Sequence, residues 1–354
     1  MAFVGSSLIL LLLGTPLSSP ARVLVVVNRA SPESVAVANH YVAKRKIPAS
    51  NVVQIKTATT ENVPTDEYKL SIEKPIRERL AKTPGVDFIV LTKGVPIRLD
   101  NDGGYSVDGF LATMDLKRTP LRGDLPSLPV DQRRTEIQRS QNPYFNKQEP
   151  FSHRKFGLYL VTRLDGYTVA DAKALVDRSI KAKKELGPFF FDMAGNRTTG
   201  DYGNMNQLLK LAADRLAFRD FKVILDTDPA FVAPPQPVAG YASWGSNDSA
   251  YKRDVYNKIK FKPGAICETF VSTSAFTFAK REHWQSLIGD LVAQGVTGVK
   301  GYVSEPYTFA LARPQILFDR YVSGFNLAES FYMASPVVKW KDVVIGDPLC
   351  APYK

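Results

Sequence analysis

The sequence predicts an α/β protein in which mainly parallel sheets carry helices on both faces. Short apolar segments rich in β-branched residues alternate with amphipathic segments along most of the chain, and helix-capping residues precede several of the amphipathic ones. Of the 354 residues, 44% are hydrophobic and 23% are charged. This balance is typical of a folded chain with a sizeable core.

The alternation begins in the N-terminal half. Residues 22–28 (RVLVVVN) form a nearly continuous apolar run, as expected of a strand that is covered on both faces. Ser31 and Pro32 then supply an N-cap and a proline at the first position of a helix. The other predicted elements of this half are a strand at residues 51–55, a helix beginning near Thr65 and a strand at residues 87–91.

The same pattern continues through the C-terminal half. Thr168 and Asp171 have the spacing of a capping box ahead of an amphipathic segment. Strand–helix alternation of this kind predicts parallel pairing through crossover helices. The strands are predicted at residues 158–162, 188–192, 221–225, 238–242, 265–271 and 296–303, with further helices near residues 205–218 and 281–294.

The alternation stops between residues 117 and 155. This stretch is rich in Pro, Arg and Gln and has little apolar periodicity, so we predict a long basic surface insertion, either functional or a solvated flap. The predicted organisation is a signal peptide at residues 1–21, an N-terminal α/β subdomain at residues 22–165 that contains the insertion, and a C-terminal α/β subdomain at residues 166–354.

The first 21 residues resemble a secretion signal. Residues 8–13 form an apolar core too short to span a bilayer, and small residues at positions 19–21 suit signal peptidase. The segment before the core carries no Lys or Arg, so a hydrophobic first strand or a membrane anchor is the alternative. We expect an exported protein, in the periplasm or outside the cell, with no stable membrane span after signal removal.

Charge and composition bear on the possible partners. Lys and Arg exceed Asp and Glu by 11, but these basic residues are scattered and form no nucleic-acid recognition motif, so no nucleic-acid partner is expected. No glycine-rich phosphate fingerprint and no metal-ligand spacing of His or Cys is present, so we expect no cofactor and no metal. The pattern favours free or buried thiols for Cys267 and Cys350, with a disulfide as the alternative.

Polar side chains follow three predicted strands of the C-terminal half. Ligand sites in open α/β sheets lie at the carboxyl ends of strands, so these side chains converge on one pocket if the three strands are neighbours. The predicted site residues are Ser243, Trp244, Ser246, Asn247 and Asp248 after the first strand, Glu268, Ser272 and Ser274 at the second, Lys300 and Glu305 at the third, and Asp108 from the N-terminal half.

Two kinds of catalysis fit these residue types. Glu268 and Glu305 in unequal environments form an acid–base pair, and Ser272 with Lys300 forms a nucleophile–base pair. Turn and cap roles are the alternative for polar residues after strands. Trp244 is interpreted either as an exposed ring that grips a sugar or a peptide side chain or as a core residue.

The order of segments from Arg22 to Asp347 resembles the gingipain family of cysteine peptidases, which have a caspase-type fold. The motifs that carry this resemblance are DFIVLTKGVPIR at residues 87–98, SVDGFLATMD at 106–115, LYLVTRLDGYTVADAKALVDRSI at 158–180 and VIGDP at 344–348. The resemblance implies a gingipain-like scaffold of two stacked subdomains.

A narrower resemblance covers nearly the whole chain after residue 21. It is to an uncharacterised bacterial family found in genomes that carry exosortase, the membrane enzyme that sorts proteins with a C-terminal Pro-Glu-Pro signal. This resemblance implies a cell-envelope setting and supplies no reaction. The motifs are VLVVVNR, LTKGVP, YLVTRLDG, SWGSND, ETFVSTSA, GVTGVKGYVSEPY and VVIGDPLCAPY.

The chain departs from the gingipain pattern where the catalytic pair belongs. The family's histidine lies in a Gly-His-Gly turn, which here is Ser243-Trp244-Gly245, and an indole N–H cannot relay a proton. The family's nucleophile is expected near Ser272, whereas Cys267 lies inside the preceding strand. Cysteine peptidase activity is therefore disfavoured. We expect an accessory protein that binds an envelope peptide or glycan; the alternative is a hydrolase with a Ser/Lys or paired-carboxylate site.

Overall fold

A ten-stranded sheet forms the centre of the computed structural model, which describes residues 19–101 and 103–354. Of the predicted signal peptide, residues 1–18 lie outside the described residues, and Pro20–Arg22 form a 3-10 turn. The strands are β1 (Val23–Asn28), β2 (Val52–Ile55), β3 (Asn62–Pro64), β4 (Phe88–Thr92), β5 (Arg98–Asp100), β6 (Leu160–Leu164), β7 (Phe189–Asp192), β8 (Val223–Asp226), β9 (Val238–Ser243), β10 (Phe261–Thr269), β11 (Gly298–Tyr302) and β12 (Asp342–Gly346).

The large sheet consists of two parallel blocks that run in opposite directions. Its order is β2-β1-β4-β6-β12-β11-β10-β9-β7-β8, and β3 and β5 pair separately. Every neighbouring pair of strands is parallel except β11 and β12. The carboxyl ends of β4 and β6 therefore lie at the opposite edge from those of β9, β10 and β11. The prediction of a mainly parallel α/β fold is confirmed, while the division into subdomains at residue 165 stays a prediction.

Helices cover both faces of this sheet. On β11, the Cα–H of Gly298 faces Leu327 while that of Gly301 faces Ile288 on the opposite side. Among the described residues, no helix combines the length and the apolar character that crossing a bilayer requires. The helices are α1 (Pro32–Arg45), α2 (Thr65–Glu67), α3 (Lys74–Leu80), α4 (Val107–Ala112), α5 (Val130–Arg139), α6 (His153–Phe156), α7 (Val169–Lys181), α8 (Gly200–Ala217), α9 (Arg253–Tyr256), α10 (Ile288–Ala293), α11 (Pro314–Val322) and α12 (Leu327–Ala334).

Local capping chemistry sets the starts of several helices. The Ser31 side chain accepts a hydrogen bond from the Ser34 N–H at 3.2 Å, and α1 follows with proline at its first position. Thr168 and Asp171 form the reciprocal capping box that precedes α7. These two predictions from the sequence are confirmed.

Three predicted segments differ from the structure. The helix predicted at residues 281–294 covers only α10, because the Asp290 carboxylate accepts from the Leu287 N–H at 3.1 Å and fixes the helix start there. Helix α8 begins at Gly200 instead of near residue 205. The insertion at residues 117–155 contains α5 and α6, and its Asn142 amide donates to the Tyr332 carbonyl at 2.7 Å, which ties the insertion to α12.

Candidate ligand-binding cleft

A cleft of about 960 Å³ opens at the carboxyl ends of β9, β10 and β11. These three strands are parallel neighbours, so the loops that follow them meet at one edge of the sheet. Helix α5 of the insertion and the first turn of α8 form the opposite wall. The volume is typical of a site for a small molecule or a short stretch of polymer.

The structure brings only part of the predicted site to this cleft. Trp244, Asn247, Ser272 and Glu305 line it. The remaining predicted residues, which lie outside its lining, are Asp108, Ser243, Ser246, Asp248, Glu268, Ser274 and Lys300.

Glu268 and Lys300 lie in a closed polar layer below the cleft edge. They are register partners on β10 and β11, and both are fully buried. Glu268 accepts from the Tyr302 hydroxyl at 2.7 Å, and the Lys300 ammonium donates to the Ser335 hydroxyl at 2.7 Å and lies 3.3 Å from the Asp342 carboxylate. Burial raises the pKa of Glu268 to about 8, although the Lys300 charge opposes this rise.

Neither predicted catalytic pair is assembled in the cleft. Ser272 is half-buried there, and no side-chain hydrogen bond joins it to another described residue. Its predicted base, Lys300, is bound elsewhere, and the Glu268 carboxylate is closed off from the exposed Glu305. A nucleophile needs a base within hydrogen-bond reach, and a carboxylate pair must share a cavity with the substrate.

Two predicted polar residues, Ser243 and Asp248, have the turn roles that were the alternative, because each accepts from a backbone N–H two residues further along the chain. Ser246 and Ser274 instead accept from the backbone N–H of residues distant in the chain and so tie separate segments together. The pairs are Ser243 with Gly245 at 3.1 Å, Ser246 with Ser286 at 3.0 Å, Asp248 with Ala250 at 2.8 Å and Ser274 with Tyr302 at 3.3 Å.

Asp108 belongs to the other strand block and not to the cleft. Its carboxylate accepts from the Arg163 Nε at 2.7 Å, and both side chains are almost completely buried. The other Arg163 nitrogens donate to the carbonyls of Val95 at 2.8 Å and Pro96 at 2.6 Å. The separation follows from the sheet, because β4 and β6 end at the opposite edge.

Trp244 packs into the floor of the cleft. It is only 2% exposed, and its Nε1 donates to the Asn206 side-chain oxygen at 2.6 Å. Its ring meets Tyr202 and Phe270 edge to face, with centroids 5.7 and 5.0 Å away. The core-packed alternative is therefore the observed one, and the interpretation of Trp244 as an exposed gripping ring is wrong.

The accessible rings of the cleft are ones that the sequence reasoning missed. Tyr202 is 49% exposed, while Tyr307 and Phe309 are half-buried and stack with centroids 6.1 Å apart and planes 18° apart. Tyr307 has φ 60° and ψ 162°, a conformation that residues other than glycine rarely adopt. The available signal was that Tyr307 and Phe309 follow Glu305 in the loop after a predicted strand.

The loop that carries these rings is held from behind by Trp340 and Lys341. The Lys341 ammonium donates to the Glu305 carbonyl at 3.0 Å and lies 4.2 Å from the Trp340 ring centroid. The Trp340 indole donates to the Pro306 carbonyl at 3.2 Å, and its ring lies 6.3 Å from that of Phe309. The stacked pair is thus fixed in place before any ligand arrives.

The two thiols and the three imidazoles are far from forming a catalytic pair. Cys267 and Cys350 are free and completely buried, and burial raises the pKa of both, that of Cys350 to about 11. The His40 ring contacts a carboxylate at 3.0 Å, the His153 ring contacts a carbonyl at 3.0 Å, and His283 is exposed. Both sulfurs are thus held in the form that is not nucleophilic.

The chain is an α/β protein with an open cleft, lined in part by aromatic rings, at the carboxyl edge of one strand block. No family model matches the chain, and no curated protein matches it. A solved structure called "Structure of Protease" is similar over 94% of this chain and 78% of that chain, with 11% sequence identity and a TM-score of 0.48. A likeness of this size carries no information on activity.

Proposed function

We propose that the protein binds a glycan of the cell envelope in this cleft and does not cleave it. The observation that carries the proposal is the stacked pair of Tyr307 and Phe309, half-buried on the wall of a cavity that also contains polar side chains. A flat ring covers the apolar face of a sugar, while polar groups beside it take the hydroxyls.

A glycan fits the strands of this site better than an extended peptide does. Peptides commonly bind to sheets by adding a strand to an exposed edge. Each of β9, β10 and β11 is already paired on both sides, so no strand that ends at the cleft has a free edge. A ligand here has to be recognised by side chains and loops.

Binding without cleavage is supported by the positions of the polar groups. Ser272 is the predicted nucleophile that reaches the cleft, and its predicted base Lys300 donates to Ser335 in the closed layer. Glu305 accepts from the Tyr307 N–H at 2.9 Å, and the other carboxylate of the cleft lining is Asp201. Both are exposed, so they do not have the unequal environments of a catalytic acid–base pair.

The envelope setting rests on sequence motifs alone. Export is inferred from residues 1–21, and descent from a gingipain-like peptidase in exosortase-bearing bacteria is inferred from the motifs that run to residue 353. The buried thiols support the loss of cysteine peptidase chemistry on such a scaffold.

Titration of the purified protein with a panel of envelope polysaccharides tests the proposal. We expect Tyr307→Ala to weaken the binding of the recognised glycan about tenfold, roughly 1.4 kcal/mol, because one stacking face is lost. Trp284→Ala is the matched control, since this ring is 44% exposed but lies outside the cleft lining. Equal losses in both variants would refute a role for the cleft rings.

The same protein is incubated with glycan and peptide panels to test the hydrolase alternative. We expect no release of product from wild type or from Ser272→Ala. Hydrolysis that disappears in Ser272→Ala or in Glu305→Gln would overturn the binding proposal.

A further inference from the structure

Two arginines of α5 line the cleft without any partner in the described part of the chain. Neither Arg133 nor Arg134 forms a side-chain hydrogen bond or an ion pair there. Arg139 on the same helix, in contrast, pairs with Glu136. The two arginines therefore leave all their guanidinium donors available to a ligand.

The opposite wall adds positive potential. Helix α8 contains 18 residues, and its first turn from Gly200 to Tyr202 faces the cleft. Its N-cap residue, Thr199, also lines the cleft and makes no side-chain capping bond. The aligned peptide dipoles of a helix this long place partial positive charge at this end.

The two acids of the cleft already accept hydrogen bonds from the protein. Asp201 lies in the first turn of α8, where the helix dipole offsets its charge, and it accepts from the Thr308 hydroxyl at 3.3 Å. Glu305 accepts from the Tyr307 N–H at 2.9 Å.

Arg197 also lines the cleft, but its guanidinium donates to the Asn247 carbonyl at 2.9 and 2.7 Å and lies over the Tyr202 and Trp244 rings. The guanidinium groups with no partner in the described chain are therefore those of Arg133 and Arg134, and with three arginines against two acids the charged side chains of the lining are positive on balance.

We infer that the cleft selects an acidic glycan whose sugar rings carry carboxylates, with Arg133 and Arg134 binding those carboxylates. This inference rests on the proposed glycan-binding function. A guanidinium is a planar fork that matches a carboxylate with two parallel hydrogen bonds, and Tyr307 and Phe309 supply the surface for the ring that bears it. A neutral sugar leaves both arginines unused.

One oligosaccharide in two forms tests the charge requirement. Oligogalacturonate and its fully methyl-esterified form have the same sugar chain, but only the first carries carboxylates. We expect wild type to bind the acid form at least about tenfold more tightly, with a preference that weakens as salt is added. The double variant Arg133→Gln/Arg134→Gln should lose this preference and bind the acid form no more tightly than the ester.

The controls separate charge from folding. Arg139→Gln removes one positive charge from the same helix outside the cleft lining and should keep the preference for the acid form. Arg133→Lys/Arg134→Lys keeps both charges and loses the planar forks, so it should retain the salt dependence with weaker affinity.

Three possible results would each contradict a different claim. Equal binding of both forms by wild type would overturn the charge inference and leave glycan binding intact. Failure to bind any glycan of the polysaccharide panel would remove the proposed function itself. Stronger binding of poly-glutamate or of a single-stranded oligonucleotide than of oligogalacturonate would overturn the assignment of the ligand as an acidic glycan.

Discussion

The two strand blocks use arginine in opposite ways at their carboxyl ends. In β6, Arg163 is completely buried and donates to Asp108 and to two backbone carbonyls. Beyond β9, β10 and β11, Arg133 and Arg134 line an open cleft with no partner in the described chain. The availability of a charged group to a ligand thus depends on its remaining donors and not on its residue type.

The difference arises from how the chain continues after each block. The segment after β4 turns back over the sheet, and its Val95 and Pro96 carbonyls satisfy Arg163 and close that edge. The loops after β9, β10 and β11 border a cavity whose opposite wall is helix α5 of the insertion and the first turn of α8. One edge is therefore part of the core, and the other is an open cleft.

The largest expected effect on stability comes from breaking the buried ion pair of Asp108 and Arg163. Asp108→Asn removes one partner of a buried ion pair and leaves the Arg163 charge uncompensated, so the free energy of unfolding should fall by about 3–5 kcal/mol. Asp124→Asn removes a carboxylate from the exposed pair with Arg122, which solvent screens, and should change the free energy of unfolding far less. Urea denaturation measures both, and equal effects would contradict the difference between the edges.

Local features of this fold were predictable, and the direction of its second block was not. Ser31 and Thr168 act through residues three positions away, so their capping roles can be inferred from spacing alone. An apolar strand such as β12 looks the same in sequence whether its neighbour is parallel or antiparallel. Its antiparallel contact with β11 separates Asp108 from the cleft.

The site was predictable only to the level of loops. Glu268 and Ser272 are four residues apart, yet one lies inside a strand in a closed layer and the other lies beyond it in the cleft. An error of a few residues in the strand boundary exchanges such roles. The free guanidinium groups of Arg133 and Arg134 depend on which acids are near in space, which spacing along the chain does not contain.

The next prediction concerns Glu268 in the closed polar layer below the cleft. Because the pKa of Glu268 is about 8 in the folded state and near 4.5 when exposed, only the folded state keeps this proton between those values. Stability from this group is therefore highest below about pH 4.5 and falls as the pH rises to about 8, by about 1.4 kcal/mol for each unit between the two pKa values. Glu268→Gln cannot ionise and should reduce this fall.

Thermal unfolding between about pH 4.5 and 8 measures how steeply stability falls with pH in wild type and in Glu268→Gln. Burial and the nearby Asp226 charge also raise the pKa of Asp192 to about 8, so part of the wild-type slope should remain in Glu268→Gln. Glu282→Gln, at an exposed position, should keep the full slope. An unchanged slope in Glu268→Gln would mean that the buried carboxyl is ionised throughout.

The smallest expected effect on stability comes from Trp244 in the floor of the cleft. Trp244→Phe keeps an aromatic ring but leaves the buried Asn206 oxygen without its donor, so we expect a loss of about 1–3 kcal/mol in the free energy of unfolding. Trp284→Phe, at an exposed ring, should cost about 0.5 kcal/mol or less. Glycan affinity should stay near wild type in Trp244→Phe, because the rings proposed to hold the sugar are Tyr307 and Phe309. An affinity loss as large as that of Tyr307→Ala would make Trp244 part of the binding surface.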